Sequence, residues 1–337
     1  MRKTAAIVFA SAVLLCLAGS IAFAAGQKEA AQQQYIIKFP SHQPATTYLG
    51  QAEARFIEAV QRESGGRIEV RHFPGGQAGN ARENIESVKL GTADMTFCAP
   101  AEMSNWVPRL GVMDCPYMFD DFAHVEACID GKVGQAIEKD VLEQVGIRIL
   151  GWWHVGFRDM LSIDKPVRRI EDFKGMKFRS PEVPVYVMMF NAIGATPTPI
   201  AWGEVYSAMK TRIVDGMETT PEGMVANKLH ELAKYVILTR HINTQGFLIM
   251  NESFYQKLPK DLQRAVDSAM EQTVPWQREM IIKASEDAYK TMTDAGLELI
   301  QIDQAALRKA CAPVWDKLVG GAAGAQELIS LIDSYRK

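Results

Sequence analysis

Apolar residues recur along the chain with two spacings, one typical of helices and one typical of strands. Leu49, Phe56 and Val60 follow helical spacing and predict a helix. This helix covers residues 47–63 and ends at the Ser-Gly-Gly run that follows. In residues 67–73, apolar side chains instead alternate with polar ones, as in a half-buried strand.

The same reading predicts strands and helices that alternate through two rounds. The first round comprises elements at 35–39, 47–63, 67–73, 83–90, 94–98, 122–144 and 147–153. The second comprises elements at 158–163, 176–179, 184–193, 202–210, 214–218 and 222–232, followed by a long helical stretch at 257–295 and a strand at 297–302. This repetition predicts an α/β fold with a largely parallel sheet. No low-complexity linker separates the halves, which favours two lobes joined by several short crossings.

The N-terminus has the pattern of an export signal. Arg2 and Lys3 are followed by an almost wholly apolar stretch at 5–16. Ala22-Phe23-Ala24 fits the small-x-small cleavage rule, so residues 1–24 are predicted to be a cleaved signal peptide and the protein to be periplasmic. An uncleaved anchor is the alternative, but the apolar core falls short of the roughly 20 residues that a span needs.

Composition narrows the class of protein. The chain has 337 residues, of which 47% are hydrophobic and 23% charged, values of an ordinary globular protein of about two domains. It carries 37 basic and 40 acidic side chains, and loss of the two basic residues of the signal peptide makes the mature balance 35 − 40 = −5. No basic excess exists to bind nucleic acid. Residues 25–34 are polar and are predicted to be a flexible leader.

Cysteine usage does not indicate a disulfide scaffold. The chain has 5 cysteines, of which Cys16 lies in the predicted signal peptide without the small preceding residue that lipidation prefers. The other four are Cys98, Cys115, Cys128 and Cys311. A disulfide between Cys115 and Cys128 is one alternative in an oxidising compartment, but buried free thiols are the favoured interpretation.

Sequence motifs of common enzymes are absent. The 6 histidines do not have metal-ligand spacing, and no nucleophile elbow, P-loop or dinucleotide fingerprint occurs. We therefore predict neither a cofactor nor a metal, and no catalytic residue.

The segment 175–223 instead indicates a binding site, because Arg179 ends a short apolar strand there. Ligands of α/β sheets bind beyond the carboxyl ends of strands, and a guanidinium suits a carboxylate. A surface ion pair explains Arg179 equally well.

Several motifs, in order and at matching spacing, resemble those of one family. They read IIKFPSH, FPGGQAGNARENIESVKLGTADM, VPRLGVMDCPYMF, KGMKFRSPE, ATPTPIAWGEVYSAMKTRIVDGMET and NESFYQKLPKDLQ. The mature chain resembles DctP-type solute-binding proteins of tripartite ATP-independent periplasmic (TRAP) transporters. The resemblance implies a two-lobed, periplasmic-binding-protein-like fold with hinge crossings, a ligand cleft between the lobes and a long helix spanning both. Lobe 1 is expected at 35–156 plus 245–285, and lobe 2 at 157–244 plus 286–337.

The resemblance also implies four ligand-binding positions. Arg179 takes the position that clamps a ligand carboxylate, and Arg158, in GFRDM, takes that of a second pocket arginine. Trp202 corresponds to an aromatic wall of the pocket, with core packing as the alternative. Thr219 stands where the family commonly has an asparagine that contacts the same carboxylate. A threonine keeps only one hydroxyl for that contact.

Four further residues are weaker candidates. His42 lies in the first loop, whose family counterpart is near the ligand, although a structural histidine is nearly as good an interpretation. Ala99 replaces a family acidic residue, and Glu102, three residues later, is a substitute that would face the cleft. Glu182 follows the clamp arginine and either contacts the ligand or balances charge. Gln245 lies near the return crossing between lobes.

These residues together predict binding of an organic-acid anion, most simply a monocarboxylate. A flat aromatic wall and several polar partners favour a hydroxylated sugar acid over a compact C4-dicarboxylate, and an aromatic or amino-containing acid stays open as an alternative. The family implies that the closed, ligand-loaded protein delivers this acid to integral-membrane TRAP subunits, and the protein is expected to be a monomer. Two alternatives remain: an exported enzyme that uses Glu102 or His42 as general acid or base, and a sensory binding protein that shares the same cleft.

Overall fold

The computed structural model describes residues 33–336. The predicted signal peptide, and all but the last two residues of the predicted leader, lie outside the described residues. The strands are β1 Tyr35–Pro40, β2 Ile68–Phe73, β3 Met95–Cys98, β4 Ile147–Ser162, β5 Lys177–Ser180, β6 Thr196–Pro199, β7 Gly216–Thr219, β8 Tyr235–Asn251 and β9 Glu298–Gln301.

Helices connect and cover these strands. The α-helices are α1 Tyr48–Glu63, α2 Ala81–Leu90, α3 Pro100–Met103, α4 Phe122–Ile129, α5 Lys132–Val145, α6 Pro184–Ala192, α7 Val205–Lys210, α8 Pro221–Ala226, α9 Glu252–Lys257, α10 Lys260–Asp294, α11 Gln304–Ala310, α12 Ala312–Gly321 and α13 Ala325–Asp333. Short 3₁₀ helices lie at Pro108–Asp114, Ile170–Phe173, Trp202–Glu204 and Leu229–Leu232. No helix in residues 33–336 has the length and apolar character needed to span a membrane.

Local sequence signals account for many of these boundaries. The predicted helix at 47–63 is α1, and the Thr47 side chain caps it by accepting a hydrogen bond from the backbone N–H of Gly50. Asn80 and Glu83 form a capping box at the start of α2. Gly91 ends α2 at a φ of 75°, a left-handed conformation that glycine adopts without strain.

The expectation of a largely parallel sheet is wrong. A seven-stranded sheet has the order β3-β8-β4-β7-β5-β6, with β9 also paired to β8, and β1 and β2 form a separate pair. β8 pairs antiparallel with β3 and β4, and β4 pairs antiparallel with β7, whereas the β5–β6, β5–β7 and β8–β9 pairings are parallel. The sheet is mixed because two long strands, β4 and β8, run in opposite directions through its centre.

Two further element predictions differ from the structure. The strands predicted at 147–153 and 158–163 are one continuous strand, β4, whose pairing with β8 shifts register at three places. The helix predicted at 122–144 is two helices, because the chain breaks at Gly131, where an added Cβ would collide with the Tyr335 side chain. All four cysteines in the described residues are buried free thiols. This agrees with the favoured prediction and not with the alternative of a Cys115–Cys128 disulfide.

Separate hydrophobic clusters lie at opposite ends of the β4–β8 pair. One contains Ile149 and Phe247 near the start of β4 and the end of β8. The others contain Met160 and Ile237, or Leu161 and Val236, at the opposite end. The predicted two-lobed α/β architecture is therefore confirmed, with β4 and β8 as crossings between the lobes.

The residue boundaries of the two lobes stay a prediction, and the packing differs from it at the C-terminus. The predicted bounds place helix α13 in lobe 2, within residues 286–337. Its side chains Ala325, Leu328 and Ile329 instead belong to the cluster that contains Ile149. Their spacing places them on one face of the helix, so α13 packs as a unit against the first lobe.

The predicted long helix is α10, which has 35 residues and packs against α1, β4 and α8. Gln277 of this helix is fully buried beside a register shift of β4. Its Oε1 accepts a hydrogen bond from the His154 N–H at 2.9 Å, and its Nε2 donates to the His154 carbonyl at 2.7 Å. One side chain therefore satisfies two backbone groups that the irregular strand leaves unpaired.

Replacing Gln277 with methionine is expected to lower the free energy of unfolding by about 2–6 kcal/mol, because two buried backbone groups lose their partners at about 1–3 kcal/mol each. Urea unfolding at pH 7 measures this. Gln326→Met is the matched control, since Gln326 is exposed on α13. A loss in Gln277→Met no larger than in Gln326→Met would contradict the bracing role of Gln277.

Candidate ligand-binding cleft

One cleft, with a volume of about 480 Å³, collects most of the predicted site residues. Side chains from both lobes line it. Seven of the eight predicted residues are among them, namely His42, Glu102, Arg158, Arg179, Glu182, Trp202 and Thr219. Gln245 is not: it is fully buried in β8, and its Nε2 donates to the carbonyl and the Oδ1 of Asn243, each at 2.8 Å. The structure does not bring Gln245 to the cleft, because its amide is engaged two residues back along the same strand.

Strand β5 positions Arg179 near its carboxyl end, between the parallel neighbours β6 and β7. The side chain is almost fully buried, with 3% exposed. Its Nε donates to the Ile200 carbonyl at 2.9 Å, and its guanidinium lies 5.5 Å from the centre of the Trp202 ring. The nearest carboxylate, Glu218, is 4.0 Å from Nη1, too far for a hydrogen bond.

Burial disfavours the charge on Arg179 and lowers its pKa to about 10, although Glu218 acts in the opposite direction. The group stays protonated at neutral pH. A buried cation without a close carboxylate is unfavourable unless an anion joins it. Arg179 therefore presents an unneutralised positive charge to the cleft.

Arg158 has a different environment, although it also lines the cleft. Its Nε donates to Glu218 Oε2 at 2.5 Å, and its Nη2 donates to Glu218 Oε1 at 2.7 Å. Both side chains are buried. This bidentate ion pair neutralises Arg158, and the Glu218 carboxylate raises its pKa although burial opposes it. Arg158 is therefore not equivalent to Arg179 as an anion binder.

Glu218 is a residue that sequence reasoning missed as part of the site. Burial works against its ionisation, but Arg158 and the His241 imidazole, 3.3 Å away, outweigh burial and lower its pKa to about 2. It lies in the VDGMET segment next to Thr219. An acidic side chain beside Met217 in a short predicted strand was the available signal, since a buried acid needs a partner.

The remaining wall residues of this lobe differ in exposure. Thr219 is buried on β7, paired in the sheet with Asp159 of β4. Trp202 is half-buried under the Arg179 guanidinium and packs against a hydrophobic cluster of the same lobe. Glu182 is exposed. The wall and core interpretations of Trp202 therefore both describe part of its environment.

His42 and Glu102 come together from the other lobe. Glu102 Oε1 is 4.0 Å from His42 Nε2, and its Oε2 accepts a hydrogen bond from the Ala99 N–H at 2.8 Å. Gln43 contacts the same His42 nitrogen through its side-chain amide at 2.8 Å. The other ring nitrogen, Nδ1, is buried with no partner in the described residues. The capping contact of Glu102 fixes its carboxylate at the edge of the cleft.

Further polar side chains at the cleft were not predicted, among them those of Tyr186, Thr244, Asp114 and Glu222. The Tyr186 hydroxyl lies 3.1 Å from Thr244 Oγ1 and 3.4 Å from Asp114 Oδ2. Burial raises the pKa of Asp114 to about 7, with Arg158 acting against this rise. Burial also raises the pKa of Glu222, which accepts hydrogen bonds from Thr220 and Ser285, to about 7. These residues are far apart in sequence, so no local pattern points to their meeting.

The cleft therefore combines one buried guanidinium that lacks a close carboxylate with several hydrogen-bond acceptors and an aromatic wall. This arrangement suits a small anion that carries additional polar groups. Within residues 33–336, no group of histidine, cysteine, aspartate and glutamate side chains is arranged to hold a metal ion.

Comparison with known proteins gives consistent similarities. Residues 40–320 match the DctP family model, described as bacterial extracellular solute-binding protein, family 7. A solute-binding protein of Verminephrobacter eiseniae is 32% identical over 82% of this chain and 84% of its own length. The 2,3-diketo-L-gulonate-binding periplasmic protein of Escherichia coli is 29% identical over 85% of this chain and 87% of its own.

Solved structures resemble the fold over almost its full length. A TRAP periplasmic solute-binding protein from Sulfitobacter sp. NAS-14.1, with bound β-D-galacturonate, is 28% identical and has a TM-score of 0.85 over 89% of this chain and 99% of that chain. One from Sulfurospirillum deleyianum, with bound succinate, is 28% identical and has a TM-score of 0.84 over 90% of this chain and 100% of that chain.

Proposed function

Since the chain belongs to the DctP family of bacterial extracellular solute-binding proteins, we propose that it captures an organic-acid anion on Arg179 in the cleft and delivers it to the integral-membrane subunits of a TRAP transporter. The family is a transport family of periplasmic proteins, not an enzyme family. The acid itself and its delivery to membrane subunits are the proposed part.

The state of Arg179 is the single observation that carries the choice of an anion. Its guanidinium is buried, and its one hydrogen bond within the described residues goes to a backbone carbonyl. A ligand carboxylate would supply the missing negative charge through charge-assisted hydrogen bonds, each contributing roughly 1.5–3 kcal/mol. The Trp202 ring beside the guanidinium supplies an apolar face for the rest of the ligand.

The ligands of structural neighbours support the same class of substrate. The Sulfitobacter protein holds galacturonate and the Sulfurospirillum protein holds succinate. These molecules differ in size and hydroxylation but share a carboxylate. The shared group fits a single unneutralised arginine as the common anchor, with the other cleft residues choosing among acids.

We propose that capture works by a shift between open and closed forms. A ligand that contacts both lobes stabilises the closed form by its differential contacts. Arg179 and Trp202 belong to one lobe, and His42 and Glu102 to the other, so a bound acid would bridge them. Closure also removes water from the cleft, which strengthens the charge-assisted hydrogen bonds.

A thermal-shift screen tests this function. The full chain is expressed, recovered from the periplasm, freed of trapped ligand by unfolding and refolding, and mixed with sugar acids, dicarboxylates, 2-oxo acids, aromatic acids and amino acids. A ligand at 100 times its Kd is expected to add about 2.7 kcal/mol of stability. Neutral sugars serve as the control. Stabilisation by neutral sugars and by none of the acids would contradict anion capture.

Three further measurements test the alternative functions and the expected oligomeric state. Recovery of the ligand unchanged by mass spectrometry is expected, and conversion would support an exported enzyme. Loss of uptake of that acid in a deletion strain is expected for transport, whereas a sensor would leave uptake intact. Size-exclusion chromatography is expected to show a monomer.

A further inference from the structure

We propose that Asp114, together with Tyr186 and Thr244, forms a second subsite of the cleft that receives a hydroxyl or ammonium group of the ligand and rejects a second carboxylate. This inference rests on the proposed function, because it assumes that the ligand is an acid held by Arg179. It narrows the substrate class to monocarboxylates that carry a hydrogen-bond donor.

Asp114 ends the 3₁₀ helix Pro108–Asp114 and lines the cleft, with 1% of its surface exposed. Its Oδ2 accepts a long hydrogen bond, at 3.4 Å, from the Tyr186 hydroxyl. Its Oδ1 is buried and has no partner in the described residues. A buried acceptor without a donor is unfavourable, and Asp114 lines the cleft, so a ligand donor enclosed there on closure would supply the partner that this oxygen lacks.

The subsite is continuous with the arginine end of the cleft. The Arg158 guanidinium lies 5.2 Å from the centre of the Tyr186 ring, and the hydroxyl of the same ring reaches Asp114 and Thr244. However, Glu218 already neutralises Arg158 through a bidentate pair. No free cation in the described wall therefore stands beside Asp114 to balance a second ligand carboxylate.

The charges around the whole cleft agree with this assignment. Among the described lining residues, three are arginines, none is a lysine and six are acidic. The acidic residues are Glu83, Glu102, Asp114, Glu182, Glu204 and Glu222. Of the arginines, Arg82 is exposed, Arg158 is neutralised, and only Arg179 is buried without a close carboxylate. One carboxylate is thus accommodated, whereas a second would lack a counter-ion and would oppose the ionisation of Asp114, whose pKa burial has already raised to about 7.

Calorimetric titration with five four-carbon acids tests the subsite. These acids share one carboxylate and differ in the polar groups on the rest of the chain. They are butanoate, 4-hydroxybutanoate, 4-aminobutanoate, 2,3,4-trihydroxybutanoate (D-erythronate) and butanedioate (succinate). D-Erythronate, and one of the two acids with a single terminal donor, are expected to bind at least tenfold more tightly than butanoate and succinate. Tighter binding of 4-hydroxybutanoate would show that the subsite takes a hydroxyl group, and tighter binding of 4-aminobutanoate would show that it takes an ammonium group.

Asp114→Asn is expected to reduce the preference for D-erythronate over succinate at least tenfold, because the amide cannot ionise and always offers an N–H to a carboxylate. Tyr186→Phe is a second variant, expected to change the preference in the same direction by a smaller factor. Glu298→Gln, on the exposed edge strand β9, removes a charge outside the cleft and is expected to leave the preference unchanged.

An unchanged preference in both Asp114→Asn and Tyr186→Phe, with folding intact by thermal melting, would overturn the subsite alone. Succinate bound by the wild type as tightly as D-erythronate would also overturn it. Failure of the proposed function has a different signature: neutral sugars stabilise the protein in the screen while acids do not. A wild-type protein that binds none of the five acids contradicts the subsite as assigned.

Discussion

Replacing Arg179 with methionine is expected to weaken binding of the ligand acid at least about 100-fold. Two guanidinium nitrogens, Nη1 and Nη2, have no carboxylate within hydrogen-bond distance in the described structure. Two charge-assisted hydrogen bonds at roughly 1.5–3 kcal/mol each amount to at least about 3 kcal/mol, and each 1.4 kcal/mol is tenfold in Kd. Titration calorimetry with the acid found in the screen measures the change.

The same substitution is expected to leave the melting temperature of the ligand-free protein unchanged or to raise it. Burial lowers the pKa of Arg179 to about 10, which means that the folded protein disfavours its charge. Methionine removes the buried charge and keeps much of the side-chain volume. Loss of binding without loss of stability distinguishes a residue retained for ligand binding from one retained for folding.

Arg168→Met is the control for Arg179→Met. Arg168 is exposed and pairs with the exposed Glu298, so neither binding nor stability should change appreciably. Tight acid binding by Arg179→Met would show that another group holds the carboxylate. A collapse in melting temperature would show that Arg179 is structural.

Replacing Glu218 with glutamine is expected to lower the free energy of unfolding by about 3–5 kcal/mol. Arg158 bonds to both carboxylate oxygens of Glu218, and His241 lies 3.3 Å from one of them. Arg179 lies 4.0 Å away. Removing the Glu218 carboxylate leaves the buried Arg158 guanidinium without its hydrogen-bonded counter-ion, the condition under which breaking a buried pair is strongly destabilising.

Urea unfolding of Glu218→Gln at several pH values tests both the size and the cause of this effect. The pKa of Glu218 falls from its ordinary 4.5 to about 2 in the folded protein. Its ionisation therefore contributes stability above about pH 4.5, and this contribution is lost as the pH falls towards 2. The difference between wild type and variant is accordingly expected to shrink over that interval.

Two further variants show whether the loss of stability in Glu218→Gln comes from breaking a buried ion pair. Glu298→Gln breaks an exposed pair and is expected to cost less than about 1 kcal/mol. The double substitution Arg158→Met with Glu218→Leu removes both charges and is expected to recover part of the lost stability. A loss below about 1 kcal/mol in Glu218→Gln, at every pH, would contradict the role of Glu218 as counter-ion.

Local patterns in the sequence were sufficient for elements whose ends carry their own signals. Helix α1 follows an apolar period of three and four and begins at the Thr47 cap, and α2 ends at Gly91. The same patterns failed for β8, which was not predicted. Its 17 residues are almost all buried and contain polar side chains, so neither strict alternation nor a simple apolar run reveals it.

Motif resemblance identified the family and seven of the residues that line the cleft, because several of these residues lie within continuous sequence motifs. Arg179 in KGMKFRSPE and Trp202 in PTPIAW are examples. It did not distinguish the two arginines. Both end up in the cleft, but only their surroundings show that Arg158 is neutralised and Arg179 is not.

By itself, then, the sequence determined the alternation of strands and helices, the long α10 helix, the family and the residue types brought to the cleft. Tertiary structure alone decided the mixed sheet, the neutralisation of Arg158 by Glu218, 60 residues away in the chain, and the meeting of Asp114 with Tyr186, 72 residues away. The physical reason is that charge and hydrogen bonding depend on distance in space. Apolar periodicity records only which side of a local element faces the core, whereas the pairing of β4 with β7 brings Arg158 close to Glu218.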